Sequence, residues 1–360
     1  MLTPTRLRLA RQRKGWTLKK LSEQSGISVR TLSSYENGEH EPRDLRVVET
    51  LANTLGVMPE FLNSDDVEFL NPEAVSFRKL SKTTAGRRDA ALAAGRMAME
   101  ISEWIETNFR IPEPDVPTLE KHRPETAAMM LRERWGLGEL PISNMLHLLE
   151  AHGVRVFSLA SDCRDVDAFS VAWDGRPFIF LNTAMSGERQ RFDAGHELGH
   201  LVLHGDADRV HGRDKEQEAN RFAASLLMPR RAVIAQGLRE ANLDRIMAAK
   251  KHWKVAAMAM THRLSELQLL SEWGYRNTCI ALSKQGFRSG EPGGIKSETS
   301  QVLAKVMWAL RESGNNSSSL VQAVGLDELE LNRHMFDLVP RAVDGGGQTT
   351  PNRGRLNLVK

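Results

Sequence analysis

The sequence predicts a mainly α-helical chain with one small β-sheet near its middle. Three observations carry that class. Aromatic content is only 6%, apolar residues recur at helical spacing along most of the chain, and strand-like patterning is confined to about residues 154–181, around the turn pair Asp174-Gly175. At 360 residues the chain exceeds one ordinary domain, for which roughly 150 residues is typical. Composition is globular, 41% hydrophobic and 26% charged, which excludes a wholly disordered protein. Cys163 and Cys279 are the only cysteines, too few for a disulfide framework or a zinc site built of thiolates. No apolar run approaches the length of about 18 residues that a membrane span needs, and the start lacks the apolar segment of a signal peptide. A cytoplasmic protein with no membrane partner is expected.

Net charge is only +3, yet the first 30 residues hold eight Lys or Arg against Glu23 alone. This basic stretch opens a small helical unit that closes near Phe61-Leu62, before the polar linker Asn63-Ser64-Asp65-Asp66. Inside it, Thr17 caps a helix bearing Leu18, Leu21 and Ser25, and Gly26 supplies a left-handed turn. Ser28 caps a second helix whose Leu32 and Tyr35 face inward, with Arg30, Thr31, Ser33 and Ser34 outward. Gly38 ends it, and Leu45, Val48, Leu51, Ala52 and Leu55 form a covering stripe. Any small bundle has stripes and a Gly turn. The basic flank and polar outer face in this order are what a helix-turn-helix needs to enter a major groove.

Residues 4–62 resemble the XRE family of Cro and phage-repressor type, including the ending Tyr35-Glu36-Asn37-Gly38 and Pro42. The resemblance implies binding to a double-stranded DNA operator, with Ser28, Arg30, Thr31 and Ser34 at bases or phosphates and Arg43 on the backbone. Reading a palindrome takes two copies, so a homodimer is expected.

Residues 67–110 read as helical, with an amphipathic run from Arg88 to Phe109, before a Pro-rich hinge at Ile111–Pro117. Two more helices are expected between 118 and 152, the second opening near Pro141 and stopping at Gly153. Strands follow at Val154–Ser158, Ala168–Trp173 and Pro177–Leu181. Helix returns from Glu188 to about Leu270. Trp253, Trp273 and Tyr275 with Arg276 read as a packed aromatic corner, a last helical pair occupies 297–338, and the Gly- and Pro-rich tail from Val339 reads as disordered.

Residues 196–200 are His-Glu-Leu-Gly-His. Two His four apart project from one helix face at a separation suited to a single metal ion, and apolar neighbours bury that helix. A third ligand must come from elsewhere, with water taking the fourth position. Downstream, Ala219, Phe222, Ala223 and Leu226 mark the buried stripe of another helix. Glu216 and Asn220 share a neighbouring face while Glu218 points elsewhere, so Glu216 is preferred as ligand, with Asn220 orienting a His ring. His204 would lie about 12 Å from His196 along a straight helix and reads as a polar residue at the helix end. His211, in a loop, stays open as a rival ligand.

Residues 140–230 resemble the ImmA/IrrE family of metallopeptidases through HELGH and E-x-x-A-N-x-F-A-A-x-L-L-M-P, and more loosely the stretches from Phe77 and after 230. The resemblance implies a zinc endopeptidase, with Mn2+ as an alternative ion. His196, His200 and Glu216 would hold the metal and Glu197 would act as general base, on a repressor- or antitoxin-like protein or on the chain's own linker near residues 63–78. The strand Phe178–Leu181 is expected to hold an extended substrate by edge pairing.

The fold class is therefore mainly α: a five-helix helix-turn-helix domain, an α+β zincin-like metallopeptidase domain with a small sheet, and a helical C-terminal region. The expected boundaries are 1–65, a connector and hinge at 66–117, the metallopeptidase domain at 118–235, helices at 236–338 and a tail at 339–360. The expected function is transcriptional regulation tied to a metallopeptidase, in a stress, phage or mobile-element setting. One alternative is a non-catalytic regulator whose metal domain serves as sensor or dimerisation platform, and another is an enzyme whose helix-turn-helix only recruits the substrate.

Overall fold

A computed structural model of the chain describes residues 1–72, 75–77, 84–159, 166–205, 212–314 and 317–339. Cys163, His211 and the tail after Val339 lie outside the described residues.

The first five helices, α1 (Pro4–Arg13), α2 (Leu18–Ser25), α3 (Val29–Glu36), α4 (Leu45–Leu55) and α5 (Pro59–Asn63), form the N-terminal unit. Its boundaries are set by local chemistry. Thr17 accepts from the Lys20 N–H and Ser28 from the Thr31 N–H, while Gly26 takes a φ of 73° between α2 and α3. Leu7, Leu21, Leu32, Leu51 and Phe61 are fully buried between the helices. Leu45 departs from its expected place in the stripe and is 77% exposed. Asp44 caps α4, which makes Leu45 the first helical residue, short of the buried face.

Residues 67–72 are not helical, in contrast to the expectation, and run into the two-residue strand β1 (Ser76–Phe77). Then come α6 (Ala85–Asn108), α7 (Pro124–Arg134) and α8 (Met145–Ala151). Helix α8 starts after Pro141 because the side chain of Asn144 accepts from the His147 N–H. The Pro-rich stretch between α6 and α7 is pinned at its middle, where the Asp115 N–H donates to the His152 carbonyl at 2.9 Å.

Strands β2 (Arg155–Leu159), β3 (Ala168–Trp173) and β4 (Arg176–Asn182) complete a sheet of order β1-β3-β4-β2. β3 and β4 are an antiparallel hairpin whose turn residues Asp174 and Gly175 have φ of 50° and 71°, the geometry that a two-residue turn between twisted strands requires. β2 runs parallel to β4, and β1 antiparallel to β3. Helix α6 lies close against this sheet. A Cβ on Gly95 would meet the Phe169 ring at 2.7 Å, so only Gly permits that approach.

Eight further helices follow α9 (Gly187–Leu203) among the described residues: α10 (Arg213–Leu227), α11 (Arg230–Ala235), α12 (Leu243–Trp253), α13 (Ala257–Glu266), α14 (Glu272–Lys284), α15 (Gln301–Glu312), α16 (Ser318–Val324) and α17 (Glu328–His334). Of the expected aromatic corner, Trp253 is buried at the end of α12, whereas Trp273 and Tyr275 lie on α14, capped by Ser271, with Trp273 76% exposed. The expected last pair is a trio, because Gly325 at φ 66° ends α16 and lets α17 start anew.

The N-terminal unit is seated on the rest of the chain. The Met58 N–H donates to the Gly325 carbonyl at 2.9 Å and Val57 bridges to Leu326. Arg6 forks onto Glu100 of α6 at 2.6 and 2.7 Å, and buried Arg13 pairs with buried Glu330 of α17. No helix among the described residues is long and apolar enough to cross a membrane.

Candidate metal centre and DNA-reading face

Small residues decide how the metal centre assembles. A Cβ on Gly199 would lie 3.1 Å from the Phe222 ring and 3.2 Å from the Ala219 Cα, and one on Gly195 would touch Ala223. Helices α9 and α10 therefore pack at close range, which brings Glu216 over the two histidines of α9. His196 Nε2 and His200 Nε2 are 3.0 Å apart, and Glu216 offers Oε2 to His196 at 3.4 Å and Oε1 to His200 at 3.2 Å. The three donors lie within 4.8 Å of one another and could hold a metal ion. Nitrogen or oxygen ligands about 2.05 Å from a tetrahedral ion stand roughly 3.3 Å apart, so the donor set fits one ion.

Both rings are turned by partners behind them. The Asn220 carbonyl oxygen accepts from His196 Nδ1 at 3.1 Å, which directs Nε2 and its lone pair at the cluster. His200 Nδ1 meets His204 Nδ1 at 3.0 Å, and His204 Nε2 meets Glu218 Oε2 at 3.0 Å. A carboxylate oxygen accepts, so the contact with Glu218 puts the His204 proton on Nε2 and leaves Nδ1 to accept from His200. That leaves His200 Nε2 facing the cluster. Burial holds the His204 pKa down, with Glu218 opposing it, and a neutral ring is what this relay requires.

Glu216 is raised by burial, but hydrogen bonds and charge from His196 and His200 outweigh that and hold its carboxyl below the usual range. Glu197 is fully buried beside His196, and its Oε2 accepts from Ser170 Oγ of β3 at 2.8 Å. A separate cavity of about 710 Å3 is lined from α7, α10, α11 and α13, including Arg132, Arg221, Ser225 and Arg263, and contains none of the cluster's residues.

On the N-terminal unit, Ser28 and Arg30 are exposed, Thr31 is half-buried and Arg43 is exposed ahead of α4. Ser28 is committed to its cap and shares a 2.8 Å hydrogen bond with the Thr31 hydroxyl. Ser34, expected outward, is buried and turns its hydroxyl back to the Thr31 carbonyl at 3.4 Å. The basic stretch divides in two. Arg6, Arg11 and Arg13 are spent on Glu100, Glu36 and Glu330, while Arg30 remains on the outer surface.

Residues 5–62 match a helix-turn-helix domain, and residues 149–265 match the IrrE N-terminal-like domain of peptidase family M78. The chain joins an XRE-type helix-turn-helix to an IrrE-like domain. No curated protein matches it.

Within the IrrE-like domain the structure brings together His196, His200 and Glu216, with Glu197 and Asn220 adjoining. Sequence reasoning missed three supports. His204 and Glu218 were dismissed as direct ligands, yet both serve one step behind His200; the signal was the four-residue spacing of His200 and His204. Ser170 was readable as a lone hydroxyl in the apolar run Ala168–Trp173. The strand expected to take a peptide does not suit that role. β4 is paired on both sides, to β3 and β2, so its backbone groups are already used, and β3 is the strand that touches Glu197.

Proposed function

We propose that this chain is a DNA-binding transcriptional regulator whose IrrE-like domain is a zinc-dependent endopeptidase. The observation that carries the reading is the convergence of His196, His200 and Glu216 at one-ion spacing, with the Glu197 carboxylate on the same helix steadied by Ser170. Zn2+ bound there, or Mn2+ as an alternative, would supply Lewis acidity and lower the pKa of a water towards neutrality. Asn220 and His204 would keep the two rings turned to such an ion through their hydrogen bonds to His196 and His200. Glu197 takes the proton of the attacking water and returns it to the leaving amine. Ser170 keeps the carboxylate from rotating away.

The proposed substrate is a repressor- or antitoxin-like protein, and the proposed DNA-binding form is a cytoplasmic homodimer on a palindromic operator, acting in a stress, phage or mobile-element setting. Arg30, Thr31, Ser28 and Arg43 are the proposed contacts, and Ser34 acts through the packing of α3. The test incubates the zinc- or manganese-loaded protein with repressor proteins encoded beside its gene, next to Glu197→Gln. Cleavage by the parent should fall by about 10²- to 10⁴-fold in the variant, with metal content unchanged. Cleavage by neither, with metal and operator binding intact, would replace the enzyme by a sensor or dimerisation platform.

A further inference from the structure

The sheet offers an incoming peptide few places to pair. β4 is internal. The other edge strand, β2, is separated from β3 by β4, and its Ser158 hydroxyl packs on the last helical segment, donating to the Arg333 carbonyl and accepting from the Phe336 N–H, both at 2.7 Å. The remaining edge is that of β3, and β3 carries the Ser170 hydroxyl that touches Glu197. An extended peptide reaching the catalytic carboxylate by strand addition must therefore pair with β3.

That edge already has an occupant. β1 lies antiparallel on β3 with Ser76 opposite Ser170 and Phe77 opposite Phe169, the register position beside Glu197's partner. The approach to β1 is anchored rather than loose. The Val67 N–H donates to Thr5 Oγ1 at 3.1 Å, Arg96 Nε donates to the Glu68 carbonyl at 3.2 Å, and Leu70 and Val75 are buried.

We propose that β1 is a built-in competitor: residues 75–77 of this chain fill the position on β3 that an extended peptide substrate must take. The inference rests on the endopeptidase reading for the word substrate. A two-residue ladder holds at most one pair of exchanged backbone hydrogen bonds, so the occupant is displaceable and makes the domain latent rather than dead. Ligands of the edge are extended peptide backbones, and their apparent affinity is multiplied by the fraction of molecules whose edge is free.

The test measures binding apart from cleavage. The full-length, zinc-loaded Glu197→Gln protein is titrated into a fluorescein-labelled peptide copying residues 70–84 and followed by anisotropy, with and without Ser76→Pro and Phe77→Pro. Proline removes the N–H that either position would donate. The double-proline protein should bind about tenfold more tightly than the protein with β1 intact. Ser76→Gly with Phe77→Gly, a milder change, should shift binding the same way, and amide exchange of Phe169–Val171 should speed up in both. Equal affinity with and without the substitutions, or faster exchange with no peptide binding, would overturn the proposal. Cleavage of labelled casein with Glu197 restored is read separately: failure of every variant to cleave would sink the peptidase reading, while the anisotropy result still decides whether β1 occupies the edge.

Discussion

The candidate DNA-reading face and the candidate metal centre are built over different distances in the sequence. Ser28, Arg30 and Thr31 sit on one eight-residue helix and its cap, placed by hydrogen bonds between residues three apart. The candidate metal centre takes His196 and His200 from α9, Glu216 from α10 and, for Glu197, Ser170 from β3. The first face is exposed and bears little of the packing. The second is buried except for the half-buried Glu216, and its residues support the fold as well as the proposed chemistry. Substitutions should therefore separate function from stability in the N-terminal unit and couple them in the IrrE-like domain.

The largest expected effect lies where the N-terminal unit meets the C-terminal helices. Arg13 and Glu330 are both buried, and Arg13 with His334 and Arg333 holds the Glu330 carboxyl far below its usual range against the effect of burial. Arg13→Ala leaves that carboxylate short of its main counter-charge, which costs about 3 kcal/mol, at the low end for a broken buried pair because Arg333 still reaches Oε2 at 2.9 Å. Urea unfolding measures it. A loss under about 1 kcal/mol would mean that the N-terminal unit sits on the other helices without depending on them.

A second effect, of similar size at most, belongs to the metal-bearing side alone. Glu150 of α8 is buried and accepts from Ser300 and from the Gln301 and Val302 N–H groups at the start of α15. Burial raises its pKa to about 7, with those donors opposing. A folded pKa above the unfolded one means that stability is full below about pH 4.5 and is lost as pH rises through about 7, by about 3 kcal/mol at most. In chelator-treated protein the parent should weaken from pH 5 to pH 8 more than Glu150→Gln does. Parallel pH profiles for the two would contradict the assignment.

These differences also explain what was legible in the sequence. The two short helices of the reader, the hairpin at Asp174-Gly175 and the HELGH helix were readable because caps, turn residues and four-residue spacing are local signals. The grouping of Glu216, and not Glu218, with the two histidines was readable because a helix fixes which residues share a face. The order of the sheet was not, since β1 comes from a segment that patterning had made helical, and only long-range pairing puts it beside β3. Spacing put His204 one turn beyond His200 but could not show which ring nitrogens meet, because that depends on how α9 ends and on Glu218 of the next helix. Ser34 misled for a related reason: polarity suggested an outward residue, and packing of α3 decided otherwise.

The relay behind His200 sharpens the contrast further. His204→Ala frees His200 to rotate and should weaken zinc binding by about 10- to 100-fold, read by competition with a chromophoric chelator. Glu218→Gln should cost less, since the amide oxygen still accepts from His204. Arg30→Ala, on the exposed face, should leave zinc affinity unchanged. An effect of His204→Ala on stability with none on zinc affinity would make the residue a helix cap and nothing more.

The smallest effects distinguish two neighbours on the reading helix. Ser28 caps α3, so Ser28→Ala should cost about 1 kcal/mol of stability and weaken DNA binding through the helix. Arg30 is exposed and makes no ion pair among the described residues, so Arg30→Ala should change stability by about 0.5 kcal/mol or less. If Arg30 meets a phosphate, its loss lowers the salt dependence of operator binding by about one counterion; if it meets a base edge, affinity falls on the operator more than on random DNA. Ser28→Ala should do neither selectively, because it loosens the helix that carries every contact. Titrations of both variants against operator and random duplexes at several salt concentrations therefore separate a residue that holds the reader together from one that reads.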